Sequence, residues 1–147
     1  MDDKTIVMAA DHAGYQMKEY IKKQLVQEGY SPVDYGTDSD ESVDYPDFAH
    51  KVGEAIESGA YSRGLVFCGS GNGVNMTVNK HKGVRSALCW NEEIARLARA
   101  HNNANVCALP ARFIPAQDAW RIVKMFLSSE FEGGRHEKRV DKIEIQK

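Results

Sequence analysis

The chain has 147 residues and a mass of 16.4 kDa, with 42% apolar and 27% charged residues, a formal net charge of −2 and a pI near 6.2. That is enough chain for one soluble domain with a proper core, and the charge balance excludes a nucleic-acid binder; the one short basic cluster, GGRHEKRV at 133–140, suits a single small anion. No apolar stretch approaches a membrane span, the acidic start MDDKTIVMAAD is no signal peptide, and three cysteines without C-x-x-C spacing point to a reducing compartment, so the expected address is the cytoplasm.

Strand-like and helix-like segments alternate along the chain. TIVMAA (5–10) is a continuous apolar run, as expected of a parallel strand covered on both faces. Met17, Ile21 and Leu25 recur every four residues and predict a helix over 15–28, ended by Gly29. SPVDYG (31–36) reads as a second strand. A polar loop follows, up to Pro46 in the first turn of a helix whose stripe is Phe48, Val52, Ala55 and Ile56, running to Gly59. GLVFC (64–68) is the third strand, followed by a glycine loop and a helix over about 74–80. RSALCW (85–90) is the fourth, and Asn91 caps a helix with the stripe Ile94, Leu97, Ala98 and His101. NVCALP (105–110) is the fifth, Ala119, Val123, Phe126 and Leu127 mark a last helix, and a polar tail closes the chain.

Five β/α alternations without repeat or linker predict a single α/β domain, Rossmann-like, with three α/β/α layers around a five-stranded parallel sheet. Ligands of such sheets bind beyond the carboxyl ends of the strands. Those ends carry Asp11-His12, Cys68-Gly69 and Pro110-Ala111-Arg112.

The loop FCGSGNGVN (67–75) has glycines at 69, 71 and 73. Such a loop can turn several backbone N–H groups toward one point and form an anion cradle; a bare strand-to-helix turn would need one glycine or two. Val74 follows the last glycine, so the P-loop, the dinucleotide fingerprint and the cysteine-phosphatase loop are all excluded. A thiol near a helix N-terminus has a lowered pKa, which favours a reactive role for Cys68, although cysteine is more commonly a small buried hydrophobe. The buried role suits Cys107 and Cys89. On the residues alone, His101 reads as a core histidine, and Asp11 as a helix cap or a site carboxylate. The five histidines show no metal-ligand spacing, so neither a metal nor another cofactor is expected.

Taken together, AADHAGYQMK, DYGTDSDESVDYPDFA, FCGSGNG, NKHKGVRSALC, ARAHNNANV and EGGRHEKRV resemble the ribose-5-phosphate isomerase B family, the sugar-phosphate isomerases that include the galactose-6-phosphate isomerase subunits. The resemblance spans nearly the whole chain. It implies an aldose–ketose isomerase without cofactor, a homodimer or dimer of dimers, and active sites shared between subunits. It implies that Cys68 is the base moving a proton between C1 and C2, with Gly69, Ser70, Gly71, Asn72 and Gly73 around the enediolate oxygens. Ser70 would hydrogen-bond near the thiol. His101 would assist ring opening with Asp11 on the opposing side of the sugar, Asn102 would contact a hydroxyl, and His12, Arg112, Arg135 and Arg139 would surround the phosphate. The loop GSGNG resembles that of a branch using a glutamate base after the last glycine; Val74 stands there instead, so the thiol is the expected base. Isomerisation of a six-carbon sugar phosphate, or non-catalytic sensing of one, remain the alternatives. A receiver-like signalling module would need an acceptor Asp where Cys68 stands.

Overall fold

The computed structural model describes residues 3–146. Five strands, β1 (Thr5–Ala10), β2 (Ser31–Asp34), β3 (Arg63–Cys68), β4 (Ser86–Leu88) and β5 (Val106–Pro110), form one parallel sheet in the order β2-β1-β3-β5-β4. The helices are α1 (Tyr15–Gln27), α2 (Tyr45–Glu57), α3 (Asn72–Val78), α4 (Glu92–Ala100), α5 (Ala116–Ser128) and a short α6 (Glu137–Asp141).

The sheet is covered on both sides because its strands are apolar on both faces. Ile6, Met8 and Ala10 of β1 point into one core with Leu65, Phe67, Cys107 and Leu109, covered by Met17, Ile21 and Leu25 of α1, Ala95 and Ala98 of α4 and Val123 and Phe126 of α5. Val7, Ala9, Val66, Cys68, Val106 and Ala108 form the second core under Val52 and Ile56 of α2 and Val74 and Val78 of α3. Each fully buried Val, Leu, Ile, Met or Phe among them contributes about 1.5–3 kcal/mol through removal from water. The three-layer expectation is met.

Local signals read from the sequence act where expected. Asn91 Oδ1 accepts from the Ile94 amide at 2.9 Å and caps α4; Gly29 and Gly59, with φ of +87° and +81°, follow the ends of α1 and α2. Two strands are shorter than expected. β2 stops at Asp34, whose Oδ1 accepts from the Gly36 amide and turns the chain, though residues 35–37 still bond to β1. β4 is a three-residue edge strand, because β5 inserts between it and β3. The polar tail is also structured. A 3-10 turn (Gly134–His136) leads into α6, anchored by the single buried Val140. One apolar residue in five has no period to read.

Candidate active site

All five strands are parallel, so their carboxyl ends lie along one edge of the sheet. The register Ala10↔Phe67 and Cys68↔Pro110 lines up Asp11, Cys68 and Pro110 on neighbouring strands spaced about 4.8 Å apart. The Asp11 amide donates to the Phe67 carbonyl at 3.2 Å, which stitches the end of β1 to the end of β3. Asp11 is 7% exposed, and its Oδ1 accepts from the Gly14 amide at 3.0 Å, which holds the turn into α1. His12 Nδ1 accepts from the Val43 amide at 3.2 Å, so in the neutral ring the proton sits on Nε2, free to donate. Lys18, wholly buried, donates to Asp34 at 2.6 Å and to Glu19 at 2.8 Å beneath this turn. Burial raises the Asp34 carboxyl, but hydrogen bonds from Lys18 and Lys22 outweigh it and hold it below the usual carboxylate range.

Each glycine of the loop has its own physical reason. Gly71 alone has a left-handed φ, +77°, and a Cβ there would meet Leu88 at 2.5 Å. Gly69 lets the Arg112 side chain lie against the backbone, with Cδ 3.1 Å from where a Cβ would be; the Arg112 amide also donates to the Gly69 carbonyl. Gly73 makes room for the ring of Tyr45, at 2.5 Å. Among the described residues, the amides of Ser70, Gly71 and Gly73 find no acceptor within the chain. Ser70 Oγ accepts from the Asn72 amide at 3.1 Å, and no hydrogen bond joins it to Cys68 among the described residues. Cys68 itself is 5% exposed at the strand end. Cys89 and Cys107 are 0% exposed, and the hydrogen bond with Cys89 together with burial pushes the Cys107 thiol well up, which keeps it protonated and inert. Cys68 is buried as well, and Cys89 directly follows the end of β4 as Cys68 ends β3, so burial and place on a strand do not by themselves set Cys68 apart.

His101, Asn102, Arg135 and Arg139 do not join this set within one chain. α4 runs back across the sheet from the end of β4, and His101 is its C-cap. The loop after it is tied to strand beginnings: Asn105 accepts from the Gly64 amide at the start of β3 and donates to the Arg85 carbonyl before β4. Strands rise about 3.3 Å per residue, so Gly64 and Cys68 stand roughly 13 Å apart. Asn102 lines a groove of about 990 Å³ with Lys80, Arg85 and Ile145 on that far edge. The Glu132 amide donates to the Ala100 carbonyl, and the His136 ring stacks on His101 with centroids 4.2 Å apart, so the segment bearing Arg135 and Arg139 belongs there too. Expected as one cluster around a phosphate, His12 and Arg112 fall on the carboxyl edge and Arg135 and Arg139 on the amino edge.

Two further corrections concern this edge. His101 is not a core residue of α4: the helix buries Ala95, Ala98, Arg99 and Ala100, whereas the His101 side chain is 36% exposed. Nor does the absence of ligand spacing in sequence carry over to space, because His101, Glu132 and His136 have ligand atoms within 4.8 Å of one another. Arg99 was not legible as a site-forming residue. Its Nη1 donates to Ala104 O at 2.7 Å and Asn103 Oδ1 at 2.9 Å, its Nε to Ser129 O at 3.2 Å, and so it knits the end of α4 to the end of α5. Burial, then the charges of Arg63 and Arg85, push its pKa down to about 10, leaving it cationic at neutrality.

Exposed apolar side chains accompany the carboxyl edge: Trp90 and Phe113 follow the ends of β4 and β5, and Met76 lies on α3, at 55%, 76% and 65% exposure. No helix among the described residues is long and apolar enough to cross a membrane.

Comparison with known proteins agrees with this architecture. The family model for Ribose/Galactose Isomerase matches residues 6–143. The chain is 38% identical to ribose-5-phosphate isomerase B of Escherichia coli over 140 residues, covering 95% of this chain and 94% of that protein. Among solved structures it is similar to ribose 5-phosphate isomerase of Thermotoga maritima, with TM-score 0.93, 48% identity and coverage of 95% and 97%. It is also similar to ribose-5-phosphate isomerase B of Mycoplasma genitalium with bound ribulose-5-phosphate, with TM-score 0.91, 42% identity and coverage of 95% and 93%. With a parallel sheet in this order, a thiol at the end of β3 and a glycine turn beside it, the chain belongs to the ribose/galactose isomerase family.

Proposed function

We propose that the protein interconverts ribose 5-phosphate and ribulose 5-phosphate through a cis-enediolate, at a site completed by a second copy of the chain. The observation that carries the chemistry is a pair of neighbouring strand ends, β1 and β3, that carry a buried carboxylate, a nearly buried thiol and, just beyond it, unpaired backbone amides. Cys68, as thiolate, takes the proton from C2 of the aldose and returns it to C1. The negative charge that develops on O1 and O2 meets the amides of Ser70, Gly71 and Gly73, preorganised by the turn at Gly71. Asp11 binds a hydroxyl on the opposing side.

Ring opening needs a proton moved at the ring oxygen, and the phosphate needs cations beyond Arg112 and His12. Those groups are the partner's His101, Asn102, Arg135 and Arg139. What supports this division is their position on the opposite edge of the sheet from Cys68. An isologous pair of chains, antiparallel and related by a two-fold axis, brings each edge against the other and makes two equivalent sites. The exposed Trp90, Phe113 and Met76 supply apolar surface for that contact.

Turnover of ribose 5-phosphate, with allose and galactose 6-phosphates alongside, tests the substrate; binding without turnover of any of them would leave a sensor. Subunit exchange tests the division. Cys68→Ala and His101→Ala are each expected to be nearly inactive. Equal amounts exchanged at random give half mixed dimers with one intact site of two, so about a quarter of wild-type activity returns. Complete exchange, verified by native mass spectrometry, with no recovered activity would mean that both residues serve one chain.

A further inference from the structure

His101, Glu132 and His136 come from three different segments: the end of α4, the connection after α5, and the 3-10 turn. Their backbones are held before any ligand arrives. His101 N donates to Leu97 O at 2.8 Å, Glu132 N to Ala100 O at 3.0 Å, and Arg99 ties the end of α4 to Ser129. The Nε2 atoms of His101 and His136 face the same carboxylate oxygen of Glu132, at 3.9 and 3.6 Å.

We propose that these three side chains form a binding site for a zinc-class divalent cation. Bond lengths of about 2.0–2.1 Å in a tetrahedral site put neighbouring ligand atoms about 3.4 Å apart; the two imidazole–carboxylate spacings of 3.9 and 3.6 Å are already close to that, and the imidazole nitrogens, within 4.8 Å of each other, must draw nearer. The rings lie parallel, 13° apart, and one must turn about its χ2 for both nitrogens to converge; that torsion is soft. Glu132 is half exposed and free to follow. Two imidazoles and one carboxylate suit zinc or cobalt(II), whereas magnesium and calcium favour oxygen. The nearby Arg135 and Arg139 oppose any cation held by charge alone, which sharpens that selection. A fourth position stays open to water.

An ion here takes Nε2 of His101. If His101 assists ring opening, as under Proposed function, zinc is an inhibitor; the binding itself does not rest on that role. Zinc sulfate titrated into chelator-stripped, full-length protein by calorimetry, with cobalt(II) d–d absorption as a second readout, is expected to show one ion per chain. His136→Ala and the isosteric Glu132→Gln should each weaken it at least about tenfold, a lower bound taken from second-sphere losses. His81→Ala removes the other close imidazole pair, His50 Nδ1 to His81 Nε2 at 2.7 Å, and should change nothing. Wild-type affinity in both triad variants, or loss of the ion in His81→Ala, overturns the site. In turnover, zinc should inhibit wild type reversibly and Glu132→Gln should resist. Inhibition that persists in Glu132→Gln would assign the effect elsewhere, Cys68 foremost. Zinc bound by the triad with turnover untouched would overturn inhibition and the catalytic role of His101, while the metal site stands.

Discussion

At the carboxyl edge of the sheet a thiol and a carboxylate stand at in-register strand ends, buried almost completely, beside the backbone amides of the glycine loop after β3. At the amino edge they are long or aromatic side chains on a helix end and a 3-10 turn, half exposed and held mainly by Arg99 beneath them. The difference follows from the work proposed for each. Stabilising charge on an enediolate needs donors that do not reorganise, and strand ends with glycine turns supply them. Gripping a phosphate and shuttling a ring proton tolerate, and use, side chains that can move. One edge is therefore legible as strand-end chemistry, and the other takes its part only through the proposed pairing of two chains.

The largest effect should come from the rigid edge. Cys68→Ala is expected to cut turnover by about 10²–10⁴-fold while substrate still binds and the melting temperature holds, checked by steady-state kinetics and calorimetry. Near-normal turnover in that variant would remove the thiol from the mechanism. At the amino edge, Arg135→Gln or Arg139→Gln should weaken phosphorylated sugars by about ten- to a hundredfold through lost charge-assisted hydrogen bonds, and unphosphorylated sugars hardly at all. Equal losses for both ligand classes would make these arginines structural.

Smaller effects separate the edges by stability instead of activity. Gly71→Ala forces a left-handed φ on a residue with a Cβ and drives that atom toward Leu88 and the Leu109 carbonyl carbon, costing about 2 kcal/mol or more. A melting-point drop on the order of 5 °C is the expected readout for a domain this size. The smallest is a pH effect under the Asp11 turn. Asp34 and Glu19 have native pKa values held below those of the unfolded chain; for both, burial opposes the shift and hydrogen bonds from Lys18 and Lys22 outweigh it. Their contribution is whole above about pH 4–5 and is lost as pH falls through the depressed native values. Melting of wild type and Asp34→Asn across pH should therefore differ most near neutrality and converge in acid; a constant gap would mean that the ionised pair adds nothing.

What the sequence by itself determined lies in short-range physics. Strand cores 5–10 and 64–68, the α1 stripe of Met17, Ile21 and Leu25, the Asn91 cap and the stops at Gly29 and Gly59 depend on neighbours within a turn or two, and all stand close to where the residues put them. The place of Cys68 at the end of β3 followed from the same local pattern. Tertiary structure alone decided that β5 lies between β3 and β4, since strand order depends on which long-range packing wins and leaves no period in the chain. It decided the roles of the three loop glycines, two of which yield to Arg112 and Tyr45, residues distant in sequence. It also divided the candidate site between two edges and stacked His136 on His101, because α4 reverses direction and the tail docks through one buried Val140. A motif names which residues matter to a family; only the path of the chain through space says which of them can meet.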